Sequence, residues 1–279
     1  MATKNWFITG ASTGFGKELA DLCLREGDGV IATFRKLEQA AAFTAQANGR
    51  GRGVVADMTN EAQVQQAVQD GIAALGHLDV VVNNAGYGSL GAVEAIGEAE
   101  VQRQFDVNVF GPLRVIRAVL PHLRARRSGH ILNVTSIGGL QGMPAAGIYN
   151  GSKFALEGIG ISLSRQLEPF GIHVTNIEPG PFRTEWAGPS ATLTRSGEAD
   201  YAHIDKGVGE IEAYSGTQIG DPARGARAMF DVVRLAKPPL HLPLGAMAYR
   251  TARAKYAATL QEFDAFEHLG LPTDFPAGE

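Results

Sequence analysis

Tyr149 and Lys153 are the residues whose types and spacing most directly suggest chemistry. They are four residues apart, which places a phenol and an ammonium on one face of a helix. A free phenol ionises near pH ~10, and roughly 4 kcal/mol of preference for the phenolate would bring that value to about 7. A unit positive charge about 4 Å away contributes roughly that much at an effective dielectric constant of about 20. The pair predicts proton transfer through Tyr149 near neutral pH, although such a spacing also arises by chance.

Two further polar residues can complete a catalytic set. Ser136 follows a strand-like run, so its hydroxyl could polarise a substrate carbonyl. Asn108 could kink its helix and position a water that links Lys153 to solvent. Taken singly, a serine is usually structural and an asparagine usually belongs to the core or the surface.

The segments that must position these residues are short apolar runs alternating with stretches of helical period. The runs predict strands at 6–9, 29–33, 53–56, 78–83, 130–135 and 172–178. Such alternation is typical of βαβ units and a parallel sheet covered on both faces. We therefore expect an α/β fold with a doubly wound, Rossmann-like parallel sheet in a single domain over 1–279. Ligands of such folds bind beyond the carboxyl ends of the strands.

A glycine-rich turn joins the first predicted strand to the first predicted helix. Glycines let the backbone bend tightly and approach a pyrophosphate, while the helix offers free N–H groups and the positive end of its dipole. We therefore expect a dinucleotide phosphate to contact the residues of this turn, which are Gly10, Ser12, Thr13, Gly14, Phe15 and Gly16.

Arg35 follows the second predicted strand, where such folds distinguish a ribose hydroxyl from a 2′-phosphate. No acidic residue stands there to bind ribose hydroxyls. The guanidinium of Arg35 offers a donor fork to a phosphate, and Ser12 can add a hydroxyl. NADP(H) is therefore favoured, with NAD(H) possible; the alternative is a solvated arginine after a strand.

Two more strand ends suggest cofactor contacts. Asp57, followed by Met58, could accept the adenine amino group, or it could be only a helix N-cap. Asn84, Ala85 and Gly86 suit a backbone that passes close to a cofactor, although an ordinary turn is the alternative.

Taken together, these motifs resemble the short-chain dehydrogenase/reductase family of the Ser-Tyr-Lys type over roughly residues 4 to 185. The resemblance implies that Tyr149 is the acid/base, that Lys153 holds the nicotinamide ribose and that Ser136 orients the carbonyl. Asn108 would complete a proton relay. It also implies further contacts to the nicotinamide from Pro179, Gly180, Phe182 and Thr184.

Arg35 also resembles the NADP-preferring branch that includes estradiol 17β-dehydrogenase and retinol dehydrogenase. Thr13 departs from that branch, because many of its members carry a basic residue in the glycine turn. Arg35 must then do most of the cofactor discrimination.

The substrate is the least readable part of the sequence. The residues expected around the hydride face are Leu140, Met143, Phe182 and Trp186. Their apolar character suggests a hydrophobic ketone, aldehyde or alcohol. We interpret 185–221 as a mobile lid over the substrate, with a variable surface insertion as the alternative. A helical extension at 248–270 is expected to pack on the body.

Composition excludes several other classes. The formal net charge of −4 argues against nucleic acid as a partner, and no apolar run approaches the length of a membrane span. One cysteine and seven scattered histidines form no recognisable metal-ligand cluster, so no metal is expected. The lone cysteine and the lack of a leader segment predict a cytosolic protein.

The apolar faces of 99–127 and 152–170 predict a homodimer or homotetramer. The rival to an enzyme is a regulatory or scaffold protein that binds the cofactor without turnover.

Overall fold

Strands and helices alternate along the computed structural model, which describes residues 2–188 and 190–275. The strands are β1 (Asn5–Ile8), β2 (Gly29–Phe34), β3 (Gly51–Val55), β4 (Val80–Asn83), β5 (Gly88–Leu90), β6 (Gly129–Val134), β7 (Ile172–Pro179), β8 (Ala191–Leu193) and β9 (His241–Leu244). The helices are α1 (Gly14–Arg25), α2 (Leu37–Gln46), α3 (Glu61–Leu75), α4 (Glu98–Phe105), α5 (Gly111–Arg126), α6 (Gly147–Leu167), α7 (Ala202–Ala213), α8 (Pro222–Val232) and α9 (Ala246–Gly270).

Seven strands form the main sheet in the order β3-β2-β1-β4-β6-β7-β9. Neighbouring strands pair in parallel throughout, so their carboxyl ends meet at one edge. The expected single-domain, doubly wound Rossmann-like fold is therefore confirmed. The polar residues predicted to act together mostly follow these strand ends.

All six predicted strands are present, but the seventh strand, β9, was not predicted. It has only four residues, Pro243 lies within it and Pro238 and Pro239 precede it. Proline cannot donate to a ladder, and it is tolerated here because β9 is the edge strand of the sheet.

The core lies on both faces of the sheet. Side chains alternate along each strand, so Trp6 and Ile8 join the apolar layer under α1 and α8 while Phe7 joins the layer under α3 and α5. All three are fully buried. Two covered faces explain why the strand sequences are nearly continuous apolar runs.

The predicted lid, 185–221, has secondary structure of its own. Its β8 pairs in parallel with β5, and Ile204 and Val208 of α7 pack in a small core with Leu90 and Tyr149. The segment therefore packs against the part of the chain that carries Tyr149. Pro189, within this segment, lies outside the described residues.

Helix α9 includes the predicted extension, but its packing differs from the expectation. Only Ala248 and Ala252 of α9 are buried, and both lie near its beginning. The rest of the helix extends away from the body and exposes its apolar side chains to solvent. Among the described residues, none of the helices is both long and apolar enough to span a bilayer.

Candidate active site

The glycine turn between β1 and α1 is held by close backbone packing. Gly10 and Gly14 have φ values of +69° and +56°, a conformation that costs glycine little. A Cβ on Gly16 would lie 2.4 Å from the Gly10 carbonyl oxygen and 2.5 Å from Asn84 Nδ2. Asn84 Nδ2 in turn donates to the carbonyl oxygens of Thr9 (2.8 Å) and Gly10 (2.9 Å). Asn84 and Gly16 therefore fix the shape of the turn.

The N-terminus of α1 offers an anion site. Its N-cap residue, Thr13, makes no side-chain capping hydrogen bond, and no acidic residue lies in the first turn. The first N–H groups of the helix and its positive dipole end are thus available to a phosphate. This donor set fits the pyrophosphate of a dinucleotide.

One cavity of about 1420 Å³ extends from this turn to Tyr149. Most of the predicted site residues line it: Gly10, Ser12, Thr13, Gly14, Phe15, Arg35, Asp57, Met58, Asn84, Ala85, Gly86, Ser136, Tyr149, Lys153, Pro179, Gly180, Phe182 and Thr184. Gly16 and Asn108 do not line it and contact residues that do. The structure thus brings together residues from the ends of six strands.

Asp57 and Arg35 line the cavity where it reaches the ends of β3 and β2. The carboxylate of Asp57 accepts hydrogen bonds from Thr59 N (2.9 Å) and Thr59 Oγ1 (2.8 Å). These bonds, with the charges of Arg35 and Arg103, hold the pKa of Asp57 below its usual value. The N-cap of α3 is Asn60, so the N-cap interpretation of Asp57 is wrong. Arg103, from α4, also lines the cavity and was not predicted.

Tyr149, Lys153 and Ser136 form a buried polar group at the other end. Their exposures are 4%, 6% and 9%, and the first two share one face of α6, as their spacing predicts. Lys153 Nζ donates to the carbonyl oxygen of Val134 at 2.9 Å and lies 5.8 Å from the ring centre of Tyr149. The ammonium is thereby anchored to the end of β6, beside the phenol.

The pKa of Tyr149 differs from the expectation of a phenol that ionises near neutral pH. Burial raises the pKa of Tyr149 to about 12, and a hydrogen bond with Ser136 opposes that rise. Burial also lowers the pKa of Lys153 to about 8. Desolvation of the phenolate exceeds the opposing effect of that hydrogen bond in the chain alone. Tyr149 therefore holds its proton at neutral pH, which prepares it to donate.

Asn108 lies in a π-helical turn, Asp106–Phe110, between α4 and α5. Its Oδ1 accepts from Tyr87 N (3.1 Å), and its Nδ2 donates to Tyr87 O (2.9 Å) and Ser152 Oγ (3.1 Å). Ser152 Oγ donates to the carbonyl oxygen of Tyr149 at 2.7 Å. Asn108 thus joins the loop after β4 to the turn of α6 that carries Tyr149, and both of its amide hydrogens are engaged.

An apolar wall faces the Tyr149 phenol. The ring of Trp186 lies 4.8 Å from the ring of Tyr149, centre to centre, and Met143 lines the cavity beside them. Leu140, which was expected at this face, is buried and does not line the cavity. Further lining residues that the sequence analysis missed are Tyr87, Phe110, Ile211, Tyr214, Gln218 and Met247.

A row of buried amides holds α6 against the sheet. Asn83, Asn133 and Asn176 are register partners on β4, β6 and β7. Asn83 Nδ2 donates to Asn133 Oδ1 (2.9 Å), and Asn133 Nδ2 donates to Asn176 Oδ1 (3.2 Å). Asn176 Nδ2 donates to Glu157 Oε1 at 2.6 Å. Because Glu157 lies one turn beyond Lys153 on α6, the row fixes that helix relative to the strand ends.

The row of buried asparagines ends at a cluster of one histidine and two glutamates. The sequence analysis had expected the histidines to be scattered. His241 Nδ1 lies 2.7 Å from Glu178 Oε1 and 3.2 Å from Glu157 Oε1. Ligand atoms of the three residues lie within 4.8 Å of one another. Hydrogen bonds and the charges of the two carboxylates raise the pKa of His241 to about 10. An imidazolium between two buried carboxylates links β9 to α6 and β7.

This cluster predicts a pH-dependent stability. A histidine whose folded pKa is raised from about 6.5 to about 10 stabilises the fold below the lower value and loses that contribution as pH rises to the upper one. We expect the urea midpoint of the native chain to fall between these pH values. His241→Asn should lower the midpoint at pH 6.5 and flatten the fall.

The exposed His203 provides the matched control. His203→Asn should leave both the midpoint and its pH dependence as in the native chain. A His241→Asn variant whose midpoint falls with pH as steeply as that of the native chain would contradict the stabilising role of His241.

The fold and this site define a dinucleotide-binding class, and comparison with known proteins gives the family. The sequence model described as short chain dehydrogenase matches residues 4–192. The chain belongs to the short-chain dehydrogenase family of oxidoreductases, and the resemblance stated above is confirmed.

Several relatives extend this match. Oxidoreductase BOA17 of Botryotinia fuckeliana is 39% identical over 266 residues, covering 94% of this chain and 96% of its own. Human retinol dehydrogenase 8 is 39% identical over 194 residues, covering 67% of this chain and 61% of its own. Human 17-beta-hydroxysteroid dehydrogenase type 1 is 34% identical over 254 residues, covering 86% and 77%. A short-chain dehydrogenase from Streptomyces avermitilis has a similar structure, with a TM-score of 0.91, 34% identity, and coverage of 98% of this chain and 100% of its own.

Proposed function

We propose that this enzyme interconverts a ketone or aldehyde and an alcohol with NADP(H), with Tyr149 as the general acid and base. The observation that carries the proposal is the single cavity lined both by the glycine turn and by Tyr149, Lys153 and Ser136. A protein that only binds the cofactor requires the glycine turn, but it does not require a buried phenol beside a buried ammonium.

Each side chain has a separate task in this proposal. A bound nicotinamide supplies the hydride for reduction or takes it up during oxidation. Ser136 donates a hydrogen bond that orients and polarises the substrate carbonyl, and Tyr149 gives its proton to the developing alkoxide. Lys153 holds the nicotinamide ribose and lowers the cost of the phenolate that remains. Asn108 supports a water path from Lys153 to solvent through the π-helical turn in which it lies.

The other predicted contacts complete the cofactor site in the proposal. Pro179 ends β7 and Gly180 follows it; both would lie beside the nicotinamide, and Thr184 would bond its carboxamide. Phe182 packs against Phe15 at 4.9 Å between ring centres and supports that part of the backbone. Asp57 receives the adenine amino group.

The proposed substrate is apolar. Trp186, Met143, Ile211 and Met247 line the cavity, and such side chains favour burial of hydrocarbon over a sugar. The names of two relatives, a retinol dehydrogenase and a hydroxysteroid dehydrogenase, support an apolar alcohol or ketone. The segment 185–221, which supplies Trp186 and Ile211, is proposed to move when substrate enters.

Arg35 is proposed to select NADP(H) over NAD(H). It is exposed at the cavity wall after β2, where its guanidinium can bind a 2′-phosphate in a bidentate manner. Arg35→Ala should raise the KM for NADPH at least about tenfold, since a charge-assisted contact contributes roughly 1.5–3 kcal/mol, and should leave the KM for NADH nearly unchanged.

Steady-state kinetics with both cofactors tests this selection. Arg50→Ala, an exposed arginine outside the cavity, is the control. Equal increases for NADPH and NADH in the Arg35→Ala variant would remove Arg35 from the phosphate site.

Two broader proposals accompany the activity. Phe110 of the π-helical turn and Phe154 of α6 are 51% and 44% exposed, which supports pairing of two copies through this face.

The single cysteine, Cys23, is buried and unpaired, which supports a reducing, cytosolic location.

The experiment that tests the proposed function follows NADPH absorbance with a panel of apolar ketones and aldehydes that includes a steroid ketone and retinal. The expected result is substrate-dependent loss of NADPH. Tight NADPH binding without turnover of any panel member would instead favour the regulatory alternative.

A further inference from the structure

Helix α9 presents an apolar surface that no other part of the described chain covers. From residue 260 to residue 275 every described residue is exposed. Leu260, Phe263 and Phe266 are 61%, 65% and 57% exposed. More than half of the exposed large apolar side chains among the described residues lie between Met247 and Phe275. Apolar surface concentrated in this way marks a site of protein association.

The apolar positions of α9 repeat with coiled-coil spacing. Steps of three and four residues alternate along the series Tyr249, Ala252, Tyr256, Thr259, Phe263 and Phe266, in which Ala252 is already buried against the body. Residues with this heptad spacing form one seam along a helix, and helices with such seams pair. At 1.5 Å per residue, α9 is about 38 Å long, so a partner helix of similar length is needed to cover the seam.

The charges of α9 show which partner complements it. All six charged residues of the helix are exposed, and in chain order they are Arg250, Arg253, Lys255, Glu262, Asp264 and Glu267. Basic residues occupy the first half and acidic residues the second half. The positions 250 and 267, 253 and 264, and 255 and 262 are each equally distant from the bond that joins Ala258 to Thr259. A second α9 that runs in the opposite direction therefore lays its acidic half along the basic half of the first.

We propose that α9 pairs antiparallel with α9 of a second copy of this chain, about a twofold axis beside Ala258. A twofold axis makes every contact occur twice, so the basic half of each helix lies beside the acidic half of the other. A parallel pair would align like charges.

The same charge pattern disfavours a membrane as the occupant of this face. An anionic lipid surface would attract the basic first half of α9 and repel its acidic second half. Pairing through α9 also uses a surface separate from Phe110 and Phe154.

Sedimentation velocity of the full-length protein at low salt, over a range of concentrations, tests the pairing. Arg253→Glu with Lys255→Glu should weaken association at least about tenfold, since several surface charge pairs of roughly 0.2–1 kcal/mol each become repulsive. Adding Glu262→Lys and Asp264→Arg to the same chain restores opposite charges across the axis, so the fourfold variant should associate as tightly as the native chain. Lys206→Glu with Lys237→Glu, two exposed lysines outside α9, is the charge-matched control and should associate normally.

Circular dichroism verifies that each variant is folded. A native chain that sediments as a monomer throughout, or one whose association is unchanged by the double reversal, would overturn the proposal. So would a fourfold variant as weak as the double variant, because the antiparallel alignment predicts rescue. Binding of the native chain to vesicles of mixed neutral and anionic phospholipid, without self-association, would identify the membrane as the occupant instead.

Discussion

Tyr149→Phe should lower kcat by about 10²–10⁴-fold in both directions of the proposed reaction, the usual contribution of a general acid or base. The substitution removes one oxygen from a ring that is 4% exposed and packs against Trp186. The ring packing is kept, so the thermal midpoint and the Kd for NADPH should change little. A loss in kcat at nearly constant Kd is the signature of a group that acts in the transition state.

Two measurements make this prediction specific. NADPH binding by fluorescence titration separates chemistry from cofactor affinity. Tyr201→Phe removes a phenol from a residue outside the cavity and should leave kcat unaltered. Tyr149→Phe with native kcat would exclude Tyr149 as the acid and base.

Lys153→Met should have the second largest effect, and its direction depends on the reaction. Alcohol oxidation needs the phenolate of Tyr149, whose pKa burial raises to about 12 in the chain alone. Without the neighbouring ammonium the phenolate costs more. We therefore expect kcat/KM for oxidation at neutral pH to fall at least about 10²-fold, with activity recovering as pH rises. Carbonyl reduction needs the protonated phenol, so its pH profile should move less.

Comparing alcohol oxidation with carbonyl reduction in the Lys153→Met variant provides an internal control. The external control is Lys237→Met, since Lys237 is an exposed lysine outside the cavity. A higher KM for NADPH in Lys153→Met is also expected, because the ammonium is proposed to hold the ribose. Oxidation and reduction that lose activity equally, with no change in either pH profile, would show that Lys153 does not support the phenolate.

The sheet was predictable because its strands are buried on both sides. A strand such as 172–178 is a nearly continuous apolar run bounded by turn residues, and the structure places it at Ile172–Pro179. β9 gave no comparable signal, because four residues with internal and preceding prolines match a loop as well as an edge strand. The cluster of His241 with Glu157 and Glu178 depends on that strand, so it was not predictable either.

The candidate site was predictable where its residues follow strand ends. Gly10, Asn84, Ser136 and Gly180 come from four different strands, and a parallel sheet brings their carboxyl ends to one edge. Arg103 and Ile211 reach the same cavity from helices α4 and α7. No local pattern predicts that approach, because it depends on how these helices pack on the body.

The protonation of Tyr149 could not be predicted from spacing alone. Four residues of helix place Lys153 beside Tyr149, but they do not reveal how deeply either group is buried. Both exposures lie below one tenth, and desolvation then governs both pKa values. Likewise, the helical spacing of residues 248–270 predicted a helix, but the exposure of its apolar side chains to solvent became apparent only in the structure.

Hydride transfer assisted by Tyr149 is tested most directly by following deuterium from NADPH that carries deuterium at both hydrogen positions of nicotinamide C4. The native enzyme is incubated with labelled cofactor and an apolar ketone that is turned over, and the alcohol is analysed by mass spectrometry. Each product molecule is expected to carry one deuterium on the former carbonyl carbon, and Tyr149→Phe is expected to form little of this product. Alcohol without deuterium, or labelled alcohol formed equally well by Tyr149→Phe, would contradict hydride transfer assisted by Tyr149.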